Sequence, residues 1–319
     1  MIFRFIIVAT AVFNVTTASA QSMSFIRPMR ETLNFSLEHQ SDLNTNSKSP
    51  GAFGVSNIQM AYKIFKDDEW SVKLGLETEN IFTGLDQITL KQDDIEVDGN
   101  LESYSFSVGV NRVTNDKGKG YGVIFNFGSE SDMAFNSSEE QVLNITPYYN
   151  FSRTKAGQWT LLMAYSNNRV FLNNVPLPSF SYTYRPSRKF IGVFGLPFVG
   201  LNWINFPKYM YRFFLTPGSV LFYGAQSVVG PYQVFLDASY RVRSFIHVNR
   251  TDRENQLFLE EKRILLGITG PVSRKISIRF SGGYSFDRYM YEGNGPWSTG
   301  QKFSLGNDWI VLSKLSIRI

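Results

Sequence analysis

The chain has no cysteine and only two histidines in 319 residues. Disulfide stapling, thiolate metal sites and a lipidated cysteine behind a leader are therefore excluded. Charge is sparse as well: charged residues make up 18%, with Lys+Arg 32 against Asp+Glu 27 and a formal charge of +5. That is far from the dense basic field of a nucleic-acid binder, so no nucleic-acid partner is expected. No glycine-rich phosphate loop or nucleotide fingerprint precedes a helix, and no cofactor is expected. Long hydrophobic runs are missing too. After residue 20 the longest is FIGVFGLPFVGLNW at 190–203, broken by Gly195-Leu196-Pro197. A spanning helix needs about 20 apolar residues. A membrane location could then come only from strands.

Aromatics, in contrast, are abundant: Phe 28 and Tyr 16, with FWY at 15%. The mean hydropathy is only −0.15. Many aromatics with few charges suggest strands carrying one apolar face. The first residues read as a secretory leader. Arg4 gives the positive start, 5–13 the apolar stretch, and Ala18-Ser19-Ala20 the small-x-small cleavage site before Gln21. The expected organisation is a signal peptide at 1–20 and a single domain at 21–319.

The dominant period is two. In GQWTLLMAYSNNRV, Trp159, Leu161, Met163 and Tyr165 share one face, and Gln158, Thr160, Ala164 and Ser166 the other. At 101–112, Tyr104, Phe106, Val108 and Val110 oppose Ser103, Ser105, Ser107 and Asn111. At 69–81, Trp70, Val72, Leu74 and Leu76 oppose Ser71, Lys73, Gly75 and Glu77. Many segments exceed the globular average of about 5–6 residues and reach the roughly 9–11 that a tilted membrane strand needs. Length with alternation predicts an all-β chain: a transmembrane antiparallel up-and-down barrel of about 16 strands, within a range of 12–16.

The expected strands are 31–41, 52–64, 69–82, 100–113, 119–130, 141–153, 157–171, 178–185, 189–196, 199–205, 208–216, 219–228, 232–245, 261–270, 275–289 and 308–319. One set of connections is short and rich in turn residues: KDDE, TNDKGKG, TKAG, PSRK, FPK, VGP and GPVSR. The other set includes longer stretches at 41–51, 85–99, 131–140, 246–260 and 291–307. This asymmetry belongs to outer-membrane barrels, with short turns on the periplasmic side. The segment 178–228 stands apart, with short strands and minimal turns on both sides. It is either a merely short-looped sector or a low aromatic wall that makes a subunit contact or a contact with a thin stretch of membrane. The location is then the bacterial outer membrane, and the partners are outer-membrane lipid, lipopolysaccharide and the barrel-assembly machinery.

In ISIRFSGGYSFDRYMYEG at 276–293, Ile276, Ile278, Phe280, Tyr284 and Phe286 share a face. Arg279, Ser281, Ser285 and Asp287 share the other, with Lys275 just before them. Isolated buried charges are costly, but a water-filled lumen removes that cost. The lumen-facing candidates are Glu77, Asp237, Arg241, Arg243, Glu261, Arg263, Lys275, Arg279 and Asp287. A basic ladder of Arg241, Arg243, Arg263, Lys275 and Arg279 facing acids would set a transverse field and modest selectivity. The mixed signs equally fit a mutually paired interior. Gly282-Gly283, inside a strand pattern, points to curvature or the close approach of a neighbour.

No residue is assigned a catalytic role, and no metal site is assigned. A hydrolase would need serine beside histidine, and His39 and His247 are the only bases of that kind. Glu38, with Asp67, Asp68 and Glu69, reads as rim charge. Asp93, Asp94, Glu96 and Asp98 form an acidic loop cluster, read as solvated. Tyr289, Tyr291 and Trp297 fit an interfacial aromatic girdle. The chain closes on WIVLSKLSIRI, an alternating strand ending in isoleucine where barrels usually carry an aromatic.

LFLEEKRILLGITGPVSRKISIRFSGGYSFDRYMYEG at 257–293 and PLPSFSYTYRPSRKFIGVFGLPFVG at 176–200 resemble an uncharacterised family of bacterial outer-membrane β-barrel proteins. Glu260-Glu261-Lys262-Arg263 and Gly282-Gly283-Tyr284-x-Phe286-Asp287-Arg288 are the closest matches, within a resemblance over roughly 140–319. It implies location and architecture, and no reaction or ligand. The first functional expectation is a passive or weakly selective channel for small hydrophilic solutes. The alternatives are a non-conducting structural or ligand-binding barrel, a membrane-embedded lipid-modifying enzyme, and a soluble periplasmic β-protein.

Overall fold

The computed structural model describes residues 33–43, 53–67, 69–90, 95–114, 119–154, 156–170, 172–205, 208–248, 250, 255–295 and 302–319. The leader expected at 1–20 lies outside them. The strands are β1 (Leu33–Asp42), β2 (Gly54–Lys66), β3 (Trp70–Leu90), β4 (Ile95–Val113), β5 (Gly120–Ser131), β6 (Gln141–Arg153), β7 (Gly157–Ser166) and β8 (Leu177–Tyr184). They continue with β9 (Phe190–Gly195), β10 (Val199–Asn205), β11 (Tyr209–Thr216), β12 (Ser219–Val229), β13 (Tyr232–Phe245), β14 (Gln256–Pro271), β15 (Ile276–Gly293), β16 (Phe303–Ser304) and β17 (Asp308–Arg318). All seventeen lie in one sheet. The short β16 pairs only with the end of β15. The other sixteen form an antiparallel ladder that closes where β1 pairs with both β2 and β17. The closed ladder leaves no open edge, which is the condition for β-structure to cross lipid.

Alternation explains the wall. Leu161 is 52% exposed on the outside while its neighbour Thr160 is fully covered on the inside. The outward rows carry Leu, Ile, Phe and Trp, which lipid solvates; the inward rows carry Ser, Thr, Asn and charge. The sites of the short connections (67–69, 114–119, 154–156, 185–189, 206–208, 230–231 and 272–275) all lie at one end, the turn end. The opposite, loop end carries the longer ones.

Three expectations about the loop end need correction. The stretch 85–99 is mostly strand, because β3 and β4 run on to Leu90 and Ile95 with a register shift between Phe82 and Gln87. β14 starts at Gln256, and β15 continues to Gly293. These extensions build an upper tier above the barrel. There Ser131 of β5 bridges Ile246, just past the end of β13, in parallel, and the Ile246 N–H donates to the Glu130 carbonyl at 2.8 Å. The ends of β5 and β13 thus meet across the top of β6–β12. Those intervening strands include the shortest of the barrel wall, with 6 residues in β9 and 7 in β10.

Inside the upper tier the two walls pack on each other. Val55, Ile81 and Leu101 from one side meet Phe245, Leu257, Leu259 and Met290 from the other, all buried. An apolar core thus lies between these walls at the loop end of the barrel.

Gly283 shows the close approach its position implied. A Cβ there would fall on the Ile264 carbonyl and within 2.8 Å of the Leu265 Cα. At Gly282 a Cβ would meet only the Ile310 carbonyl, at 3.8 Å. Gly283→Ala should cost about 1–3 kcal/mol, since backbone must move. Gly282→Ala should stay within about 0.5 kcal/mol. Thermal unfolding of both variants in one detergent checks the contrast, and equal losses would contradict the packing described.

Candidate functional site: the lumen and its charge network

The register of β13, β14, β15 and β17 sets the inner rows. Ser239 pairs with Arg263, which pairs with Ser285, which pairs with Asp308. One step away Arg241 pairs with Glu261. Because side chains alternate, each row projects together into the barrel.

Most of these charges hold one another. Arg279 Nη2 lies 2.9 Å from Asp237 Oδ2, and its guanidinium stacks 3.8 Å from the Phe235 ring centroid. Arg263 donates to Ser239 Oγ at 3.2 Å and to Gln40 Oε1 at 2.5 Å. Gln40 and Ser285 donate to Glu261 at 3.2 and 3.0 Å. Glu77 accepts from Gln59 at 2.8 Å and from Asn57 at 3.3 Å. Arg243 of β13 reaches Glu79 of β3 at 3.3 Å. Those strands are separated in the ladder by β14, β15, β17, β1 and β2. The ion pair therefore joins distant walls beneath the upper core.

Two candidates fall elsewhere. Lys275 sits exposed in the β14–β15 turn rather than on the inner ladder. A tight turn, not strand alternation, governs its direction. Asp287 is turned out by a β-bulge. Glu260 pairs with Tyr289 and Lys262 with Phe286, so Asp287 and Arg288 together face Glu261. Asp287 takes a left-handed backbone, φ 49°. Its carboxylate meets Lys262 at 2.9 Å, on the same outward row as the exposed Ile264. The bulge hands the inner position to Arg288, whose side chain is wholly buried and grips Asp42 at 3.0 and 2.7 Å.

Sequence reasoning missed Arg288, Asp42, Gln40 and Lys314. Glu38, read as rim charge, points inward and holds Lys314 at 2.8 Å. The signal was present in β1, where Glu38, Gln40 and Asp42 alternate with His39 and Ser41. The connection after β7 was missed too. Asn168 is fully buried and donates to Glu130 at 2.7 Å and to the Ser244 carbonyl at 3.4 Å, and Gln256 donates to it at 2.5 Å. This clasp fastens the β7–β8 connection between β5, β13 and β14. Val170 completes it against Val242, Phe258 and Tyr291.

His39 Nδ1 lies 2.8 Å from Ser56 Oγ, a cross-strand pair on the outward face. No carboxylate orients that ring among the described residues. The pair satisfies two polar groups on an apolar surface. Among the described residues no group of three or more His, Asp or Glu comes together to hold a metal. Asp93 and Asp94 of the acidic cluster lie outside the described residues, as do Asp68 and Trp297.

A closed sixteen-strand antiparallel ladder with an apolar exterior and a polar interior defines a transmembrane β-barrel of the bacterial outer membrane. No family model and no curated protein matches the sequence. Solved structures with a similar course include an outer-membrane channel from Pseudomonas putida F1, at 6% identity and TM-score 0.35, covering 91% of this chain and 96% of that one. OmpF of Salmonella typhi, in complex with daunomycin, matches at 10% and 0.34, covering 90% and 97%. LpxR from Salmonella typhimurium matches at 8% and 0.32, covering 90% and 100%. These likenesses are too distant to bear on activity, and the barrel stands on its own strand ladder.

Proposed function

We propose that the protein is an outer-membrane channel for small solutes held in a closed state. The Arg243–Glu79 pair carries this reading, because it ties distant walls together across the interior. An open pore would keep those walls apart, with water between them. The apolar core above it and the Asn168 clasp beside it close the same end. The polar inner face below the seal supplies a path for hydrophilic solutes, and the mixed charges give little preference for either sign.

Single-channel recording in a planar bilayer tests this. The unaltered protein should be mostly silent, with brief openings. Arg243→Ala and Glu79→Ala should each raise the open probability at least tenfold. Correct folding would be confirmed by heat-modifiable migration. If the folded variants stay silent, the Arg243–Glu79 pair does not hold the barrel closed and this reading is wrong. A large steady conductance of the unaltered protein would remove the closed state.

A further inference from the structure

The sector from β6 to β12 carries charge of one sign. Between Glu140 and Asp237 the sequence holds no aspartate and no glutamate. Of the cations in that stretch, Arg169 lies buried in the clasp and Arg212 on the inner face of β11. The others fall in or beside the short connections at 154–156, 185–189 and 206–208, all at the turn end. Arg188, Lys189 and Lys208 are exposed there. Lys189 stands immediately before β9 and Lys208 immediately before β11, and both strands pair with β10. The Lys189 carbonyl accepts from the Ile204 N–H at 2.6 Å, and Asn205 pairs with Tyr209. The two lysine backbones are therefore two strand spacings apart, about 10 Å.

Beside these cations runs a belt of outward rings. Tyr184 and Phe190 meet edge to face at 6.3 Å between centroids, and Trp203 and Tyr209 at 5.6 Å. Tyr209 in turn lies 5.6 Å from Tyr211. Phe190 and Trp203 are register partners, which joins the two groups into one band. Tyr184, Trp203 and Tyr211 are exposed on the outer wall. Tryptophan and tyrosine collect at the level of the lipid headgroups. The belt thus puts Arg188, Lys189 and Lys208 at headgroup level. Another flank carries the same elements with one addition. There Trp70 and Tyr121 meet at 6.3 Å, and the Arg112 guanidinium lies 5.2 Å from the Trp70 ring centroid. Glu69 holds that guanidinium at 3.1 Å. On that flank the protein supplies the carboxylate, and between β6 and β12 the sequence has none to supply.

We infer that the turn end of β8–β11 binds anionic phospholipid headgroups of the periplasmic leaflet. The phosphates lie on Arg188, Lys189 and Lys208, and the acyl chains run along Trp203 and Tyr211. The short turns put this end at the periplasmic side. A guanidinium presents two parallel donors to phosphate oxygens, and an ammonium acts as a point charge. Each lysine or arginine close to an anionic lipid surface strengthens association roughly fivefold. The aromatic belt favours a lipid over a soluble anion, because a soluble anion gains nothing from rings at the membrane boundary. This binding is on the outer wall and does not depend on conduction.

The test uses the full barrel in vesicles, with fluorescence quenching by brominated lipid. Trp70→Phe, Trp159→Phe, Trp297→Phe and Trp309→Phe together leave Trp203 as the reporter, and a matching set leaves Trp70. At Trp203, brominated phosphatidylglycerol should associate at least fivefold more strongly than brominated phosphatidylcholine, and high salt should shrink the ratio. Arg188→Gln with Lys189→Gln and Lys208→Gln should bring the ratio close to one. Arg112→Gln should leave the ratio at Trp203 as it was. At Trp70 the two lipids should quench alike. Heat-modifiable migration confirms that each variant is folded. A ratio near one in the unaltered sector, or a ratio that survives the triple substitution, would overturn the inference. So would an equal preference at Trp70, which would belong to the barrel at large. Loss of the preference in millimolar inorganic phosphate would mean a site for a free anion. Shielding of Trp203 from both lipids would mean that a second copy of the chain covers the flank. Either of these results would overturn the lipid assignment.

Discussion

Arg288→Met is expected to destabilise the barrel by about 3–5 kcal/mol, the cost of breaking a buried ion pair from one side. Arg288 and Asp42 are both without exposed side-chain surface, and they meet through two parallel hydrogen bonds. The guanidinium also lies 4.6 Å from the Phe53 ring centroid, and its Nε donates to the Gly306 carbonyl at 3.1 Å. Removing the cation strands a carboxylate with no water to replace its partner, and that residual group accounts for most of the loss. Replacing both partners by apolar residues, Arg288→Met with Asp42→Leu, should recover a large share, because no orphaned charge remains. Urea unfolding in a single lipid composition measures all three variants. A loss below about 1 kcal/mol in the single variant would mean that water reaches the pair.

Phe245→Ala should cost a similar amount, about 3–5 kcal/mol, for a different reason. The ring is 2% exposed and belongs to the upper core, with its register partner Leu257 and with Ile81 and Leu101 of β3 and β4. Its removal leaves a cavity that strands on both sides can collapse into only partly. If the barrel is the closed channel proposed above, the same substitution should let cells take up a hydrophilic antibiotic that they otherwise exclude. Phe194→Ala provides the comparison. That ring is 43% exposed on the outer wall, so the change should leave uptake as it was. A folded Phe245→Ala barrel that still excludes the antibiotic would show that the seal lies elsewhere.

Strand number and most strand positions were legible because alternation is a local property with a long run to average over. The expected strands at 141–153, 199–205 and 232–245 coincide with β6, β10 and β13. The upper tier was less visible. At Leu257-Phe258-Leu259 the alternation vanishes, since those residues are buried on both faces. Together with the acids before Glu261, this read as loop instead of as a doubly covered strand. The bulge left no periodic mark at all. SFDRYMY continues to alternate across it, so parity alone kept Asp287 inside and Arg288 outside. An aspartate tolerates the left-handed conformation more readily than most residues, and that was the one local hint. The pairing of Arg243 with Glu79 depends on where two distant strands lie in the closed ring, which a single sequence does not encode locally.

The low wall formed by β9 and β10 has a consequence for the lipid. Six residues extend about 20 Å along the strand, and a tilt near 45° reduces their reach along the membrane normal to about 14 Å. The outward apolar band of such barrels is about 25 Å tall. Acyl chains next to Phe194 and Trp203 must therefore shorten or splay, while those beside β3 stand at full length. Each ångström of mismatch costs a fraction of a kcal/mol. A bilayer around the barrel is therefore expected to be thinner on this flank than beside β3, and reconstitution in lipids of shorter chain should stabilise the fold.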